Sequence, residues 1–389
     1  MKRTESERLV AVVSAAIFLE TLFYAVITPL LPALSHQLHL SKLAAGVMTA
    51  AYAAGTLLGS LPGGALVVRR GPRFTLISGL VLVVISTVGF ALLHSVVGLD
   101  TARFVEGVGG AFAWAGGLAW IVAVTPPERR GAVMGRALGT SIAGSLFGPA
   151  IGALASATGR AALFCGLAAA ASLLLVPIAT RRDARSSSGQ PVSEVLRVLH
   201  RPALAGAMWL MVLPAIVSGA FNVLGPLQLH RFGAGAAVIG VTFLLGAGIE
   251  AVISPSAGRF SDRHGRTLPL RGGLVGVGVG LACFSLASSS LALALLLIVT
   301  AVPLGVFWAP VMALVSDVAE AQGIDQAHAA ALMNLSWAAG QIIGSAGSGA
   351  AGKAFGNGTP TLAVTMLCLL TLLGLHVSRA GAAKVPAGG

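Results

Sequence analysis

Charge is what this chain has least of: only 10% of its 389 residues are Asp, Glu, Lys or Arg, and just 13 are acidic. A soluble domain of that length needs more polar surface to cover its core, which argues against a water-soluble globular fold. Cysteine is nearly absent. Cys165, Cys283 and Cys368 each sit inside an apolar run, which excludes a disulfide framework and a cysteine metal site. There is no glycine-rich loop ending in Gly-Lys-Ser/Thr, the phosphate cradle an ATP-driven pump needs. There is also no His/Cys cluster at metal spacing and no nucleophile–base set, so no metal, no cofactor and no enzyme activity are expected. Long polar segments are missing too. The largest, 181–202, leaves a non-transporting membrane scaffold or sensor little to act through.

What the chain does have is apolar length. It is 56% hydrophobic with a mean hydropathy of +0.89. Its apolar runs are close to the ~20 residues that cross ~30 Å of hydrocarbon as a helix. They are continuous rather than alternating, and too long for barrel strands. We place spans at 9–33, 43–68, 74–94, 98–124, 131–157, 161–180, 203–227, 234–257, 268–287, 291–316, 327–350 and 354–377. The basic stretch before the first span mimics a signal peptide, but the apolar run exceeds the usual length, so it reads as an uncleaved helix.

The formal net charge of +12 invites a nucleic-acid reading, and the placement of the basic residues decides against it. With both termini in the cytoplasm, 20 basic residues fall on the inner side. Only Lys42, Arg160, Arg231 and Lys353 fall outside, and Arg103 lies within a span. That asymmetry is the positive-inside pattern of an inner or plasma membrane protein.

The chain repeats itself at half its length. GRFSDRHGR at 258–266 and GALVVRRGPR at 64–73 each separate two spans, offset by 194 residues. Gly144 and Gly148 are echoed by Gly340 and Gly344 (offset 196), and Pro29 by Pro226 (offset 197). The expected organisation is therefore a bundle over 1–180, a cytoplasmic linker over 181–202 with a short amphipathic piece near 192–199, and a second bundle over 203–389. Duplicated halves with a site between them are a recurring transporter plan.

These motifs resemble the major facilitator superfamily, most closely its twelve-helix drug:proton antiporter branch, over nearly the whole chain. The resemblance implies an all-α membrane protein of twelve transmembrane helices in two pseudo-symmetric six-helix bundles. Gly258, Asp262, Arg263, Gly265 and Arg266 match the family's loop motif between helices 8 and 9. Gly64, Arg69, Gly71 and Arg73 match it between helices 2 and 3, where Val68 replaces the usual Asp. The resemblance makes this a conformational motif, with Asp262 carrying any latch alone. Arg103, Glu106 and Gly107 in span four are similar to the family's second motif, with Glu106 in place of Gln. Gly135, Gly139, Gly144, Gly148, Pro149 and Gly152 in span five are similar to its antiporter glycine motif, with Ala153 replacing the last glycine. Glycines at such spacing let helices approach closely, and these are expected to form a sliding helix interface.

Intramembrane acids supply the candidate drive. Glu20 lies near the midplane of span one, about 16 Å in by helix rise. A carboxylate in hydrocarbon is pulled toward its neutral form by burial and toward its ionised form by a nearby cation, so it can load and release a proton. Arg103 and Glu106 either neutralise each other, or Arg103 sets the protonation of Glu20. Glu250, about 12 Å before the inner loop of span eight, is either a further proton site or a helix-interface pair. In the resembled family helices 1, 4, 7 and 10 line the central cavity, and an acid in helix 1 often couples protons. Glu20 fits that place, and Tyr24, Trp114, Asn222, Trp308, Asn334 and Trp337 are candidate lining residues. The expected function is proton-coupled efflux of a small organic compound, cationic or amphipathic, by a monomer in the lipid bilayer that binds no nucleic acid. Export of a sugar, amino acid or other neutral metabolite is the alternative.

Overall fold

The computed structural model describes residues 3–125, 127–181, 197, 199–324 and 326–382, and among these every regular element is a helix. The first group comprises α1 (Arg3–Ala25), α2 (Ile27–Gln37), α3 (Lys42–Arg70), α4 (Pro72–Leu92), α5 (Val96–Val124), α6 (Pro127–Thr158) and α7 (Arg160–Ala179). The second comprises α8 (Pro202–Arg231), α9 (Ala236–His264), α10 (Thr267–Phe284), α11 (Ser290–Ala321), α12 (Gln326–Ile342), α13 (Ser348–Phe355) and α14 (Gly358–Ala382). Residues 343–347 form a π-helical turn joining α12 to α13. Most of the 181–202 linker, including nearly all of the expected amphipathic piece, lies outside the described residues.

Each predicted span corresponds to helix. Span one is α1 plus α2, broken at Val26. Pro29 causes the break: it has no N–H to give the Ala25 carbonyl, so the ladder stops one turn earlier. Span eleven is the α12–π–α13 run. Eleven helices are long and apolar enough to cross a membrane among the described residues. The α12–π–α13 run is not one of these, because Asn334, Gln341 and a Gly/Ser-rich stretch at 344–349 dilute it. Outward-facing Leu58, Ile85, Leu173, Val252, Val299 and Leu373 are well exposed, as a lipid-facing surface requires.

The loop motif is mostly not loop. Span eight was expected to end near 257, but α9 continues to His264, so Asp262 and Arg263 occupy its last turn. Polar residues there project past the hydrocarbon and cost nothing in water. Glycine ends both helices: Gly71 has φ 88° and ψ 161°, Gly265 φ 84° and ψ 156°. Those torsions belong to glycine almost alone, and the two halves turn identically despite Val68.

The motif's glycines lie at helix interfaces, and Gly144, Gly148 and Gly152 pack against α1 and α2. A Cβ at Gly144 would fall 2.5 Å from the Phe18 carbonyl oxygen, and one at Gly148 2.5 Å from the Ala25 Cβ. Gly152 likewise backs onto the Val26 carbonyl. These residues clamp α6 onto α1 and α2, inside the first half. Gly340 and Gly344 clamp α12 and the π turn onto α8 in the same way, so the repeat is one of packing as well as spelling. Gly139 has nothing within 4 Å. Gly148→Val is therefore expected to destabilise the protein by ~1–3 kcal/mol through overpacking, whereas Gly139→Ala is expected to be neutral or better. Thermal unfolding of the two purified variants in detergent checks this; equal melting would refute the clamp.

Candidate functional site

The first half buries a polar cluster. Glu20 on α1 is 1% exposed, Arg103 2% and Glu106 4%, the last two on α5. One Arg103 Nη donates to both Glu106 oxygens at 3.1 and 3.0 Å and to the Phe23 carbonyl at 3.2 Å; the other donates to the Tyr24 carbonyl at 3.2 Å. Those carbonyls belong to the last turn of α1, where acceptors have no intrahelical donor. Arg103 thus docks on the end of α1 just before the break at Val26. Arg103 pairs with Glu106, three residues on, rather than with Glu20.

Glu20 is held by other partners. The Tyr52 hydroxyl on α3 donates to Oε1, and the Trp114 indole on α5 donates to Oε2 at 3.0 Å. Gly110 makes room for both, since a Cβ there would collide with the carboxylate and stand 3.0 Å from the Tyr52 oxygen. Tyr52 in turn carries the Arg103 guanidinium over its ring, 5.2 Å from the centroid.

A cavity of about 220 Å³ lies between the halves. Tyr24, Asn222, Trp308 and Trp337 line it, with Phe221 and Phe243. Glu250 is the one charged residue among its described walls. The Trp308 indole stands beside Glu250, and Gly305 lets α11 approach so closely that a Cβ there would stand 3.1 Å from the Glu250 Cα.

Three expectations are corrected here. Glu20 is not a cavity residue: its oxygens are taken by Tyr52 and Trp114, and aromatic rings cover it. Trp114 is accordingly a partner of Glu20 and not a cavity wall. Asn334, one turn before Trp337, is exposed and lies outside the lining.

Beyond the cavity the halves are sealed at the end that the charge pattern assigns to the outside. Lys42 at the start of α3 donates to the Gly352 carbonyl at 3.2 Å and to Asn357 Oδ1, and Asn357 donates to Gln228 at 2.7 Å. Gly46 backs onto Ser345 in the π turn, and Gly349 onto the Lys42 carbonyl. Gly240 on α9 meets Pro149 and Ala153 of α6, the part of the glycine motif that does face the second half. At the opposite end, Arg266 bridges Asp262 and Asp317, the latter on α11 at 3.0 Å. This network lies wholly within the second half, so Asp262 latches nothing across the cleft in this conformation. Arg73 and Arg271 play matching parts, donating at 2.6 Å to the Arg181 carbonyl just past α7 and to the Leu375 carbonyl on α14.

Sequence reasoning missed Tyr52, Asp317 and the Lys42–Asn357–Gln228 link. Tyr52 carried a signal: the chain has two tyrosines, and they pack on each other at 4.7 Å between centroids.

The family model described as Major Facilitator Superfamily matches residues 13–345 and 215–387. A chloramphenicol resistance protein of Streptomyces lividans is 29% identical over 363 residues, covering 88% of this chain and 89% of that protein. Multidrug resistance protein 1 of Bacillus subtilis is 26% identical over 61% of this chain and 62% of its own length. The bovine synaptic vesicular amine transporter is 29% identical over 51% and 40%. The match thus spans less than two thirds of the last two relatives. Among solved structures, a bacterial homologue of the human lysosomal transporter Spinster, inward-facing and unoccupied, superposes with a TM-score of 0.81 at 14% identity, covering 97% of each chain. The Escherichia coli xylose transporter XylE, partially occluded and inward open, gives 0.73 at 18% identity over 95% of this chain and 98% of that one. At such identities the likeness is one of fold.

Proposed function

The chain belongs to the major facilitator superfamily, and from that premise we propose that it exports small organic compounds, drug-like and cationic or amphipathic, in exchange for protons. It would do so as a monomer by alternating access, in the inner or plasma membrane with both termini cytoplasmic. The halves 1–180 and 203–389 would rock about the linker 181–202. The observation that carries this reading is the inter-half cavity, walled by tryptophans, phenylalanines and Tyr24 with a single carboxylate, Glu250. Such walls suit an apolar body bearing a cationic or polar head. The resistance proteins and amine transporter among the relatives point to the same substrate class. Contacts at the Lys42 end, the outer end by the charge pattern, support an exporter, which loads from the inner side.

In this scheme Glu250 shares the cavity with substrate, while Glu20 holds a proton behind the aromatic cover. Cells expressing the chain are expected to accumulate severalfold less of a fluorescent lipophilic amine, or of chloramphenicol, than cells carrying empty vector. A protonophore is expected to abolish that difference. Equal accumulation in both cells would overturn the reading, and protection against sugar analogues alone would move the substrate to neutral metabolites.

A further inference from the structure

Between Glu20 and the cavity stand three rings, and they do not all belong to the same half. Tyr24 on α1 and Tyr52 on α3 stack at 4.7 Å. Trp337 on α12 meets both edge-on, at 5.5 Å from Tyr24 and 6.3 Å from Tyr52. Tyr24 and Trp337 show a face to the cavity, and Tyr52 and Glu20 do not. The first-half members are locked together. Gly107 on α5 backs onto the Tyr52 carbonyl and Gly55 on α3 onto the Phe104 carbonyl, and neither position tolerates a Cβ. Arg103 ties α5 to the end of α1. Glu20, Tyr52, Arg103, Glu106 and Trp114 therefore travel as one body in any rocking motion. Trp337 does not, because Gly340 and Gly344 fix its helix to α8.

We propose that Trp337 is the movable part of a gate on Glu20: it pins Tyr52 and Tyr24 over the carboxylate while α12 rests against α3, and uncovers it when the halves part there. Tyr52 is then a positioning residue, since its hydroxyl holds Glu20 while its ring is held by the opposite half. The titratable and charged groups facing Glu20 from its surroundings are Tyr52, Tyr24, Arg103 and Glu106, all from the first half, so the gate changes access to the acid and not its charged neighbours. This rests on the proton-coupled reading above and adds to it the element that would tie proton access to conformation.

Carbodiimide modification of carboxyl groups, read by peptide mass spectrometry on the purified full-length protein, tests the gate without substrate or gradient. In the wild-type protein Glu250, which lines the cavity, is expected to label and Glu20 to stay protected. Trp337→Ala is expected to raise Glu20 labelling by about tenfold, the scale set by losing two aromatic contacts, with Glu250 labelling changed less than about twofold. Trp337→Phe, which keeps a ring edge, is expected to restore most of the protection. A second variant guards against misfolding of the first: Lys42→Met with Asn357→Ala loosens the distant closure and leaves Trp337 in place. It too is expected to expose Glu20. Unchanged Glu20 labelling in the folded variants overturns the gate, as does an equal rise at Glu20 and Glu250, which would mean general loosening. Since the readout is access and not flux, a chain that exports nothing would defeat the transport reading and leave this result standing.

Discussion

Arg103→Leu is expected to cost the protein on the order of 3–5 kcal/mol, the typical penalty for removing one partner of a buried ion pair. Three groups would be stranded. Glu106 would keep its carboxylate at 4% exposure with no cation, and the Phe23 and Tyr24 carbonyls would lose the donor that closes the broken end of α1. Against a total stability of ~5–15 kcal/mol, that is enough to empty most of the folded population on mild heating. The companion experiment separates the pair from the packing. Replacing both residues, Arg103→Leu with Glu106→Leu, removes the stranded charge and is expected to recover much of the loss, since apolar replacements of buried pairs are often near neutral. Thermal unfolding of the single and double variants in detergent gives both numbers. A single variant as stable as the parent would show that the pair is no structural support.

The helices were legible because the membrane writes them in large letters: each ~20-residue apolar run needs every backbone group satisfied internally, so helix is the only outcome. The duplication was legible for a similar reason. Glycines recur where close approach recurs, and Gly144/Gly148 and Gly340/Gly344 occupy equivalent clamps. What they clamp was not legible, because a glycine pair announces a close neighbour without naming it. The site fared unevenly. Glu20, Arg103 and Glu106 stand out in any reading, since charge in hydrocarbon is rarely without a partner. The pairing among them depends on rotamers and on the break at Val26, which follow from Pro29 only once α5 is known to lie beside α1. Asp317 sits at the end of an apolar run and looks like an ordinary solvated helix end until Arg266 is seen to reach it. The expectation of a cavity position for Glu20 rests on its depth and on the helix it occupies. Neither fixes which way a side chain faces, and Tyr52, thirty-two residues away, decides that.

Glu250→Gln is expected to weaken binding of lipophilic cations by on the order of a hundredfold, the scale for losing one side of a desolvated charge pair. Glutamine has the shape of glutamate and still offers an oxygen to the Trp308 indole, so the fold and the cavity walls should persist. What disappears is the only negative charge among the described walls. A cation entering about 220 Å³ of largely aromatic space would then have to shed water against ring faces alone, which return on the order of 2 kcal/mol. Dropping an uncompensated charge into such a site costs more than that. A neutral amphiphile loses much less, because its recognition lies in the rings and in Asn222. Ligand-induced thermal stabilisation, measured for a lipophilic amine and for chloramphenicol on parent and variant, separates the cases. Loss for the amine alone makes Glu250 the counter-charge of a cation site. Equal loss for both would make it a structural residue of the wall. No loss for either would leave the cavity without an electrostatic role in choosing its cargo, and the proton traffic would fall to Glu20 behind its gate.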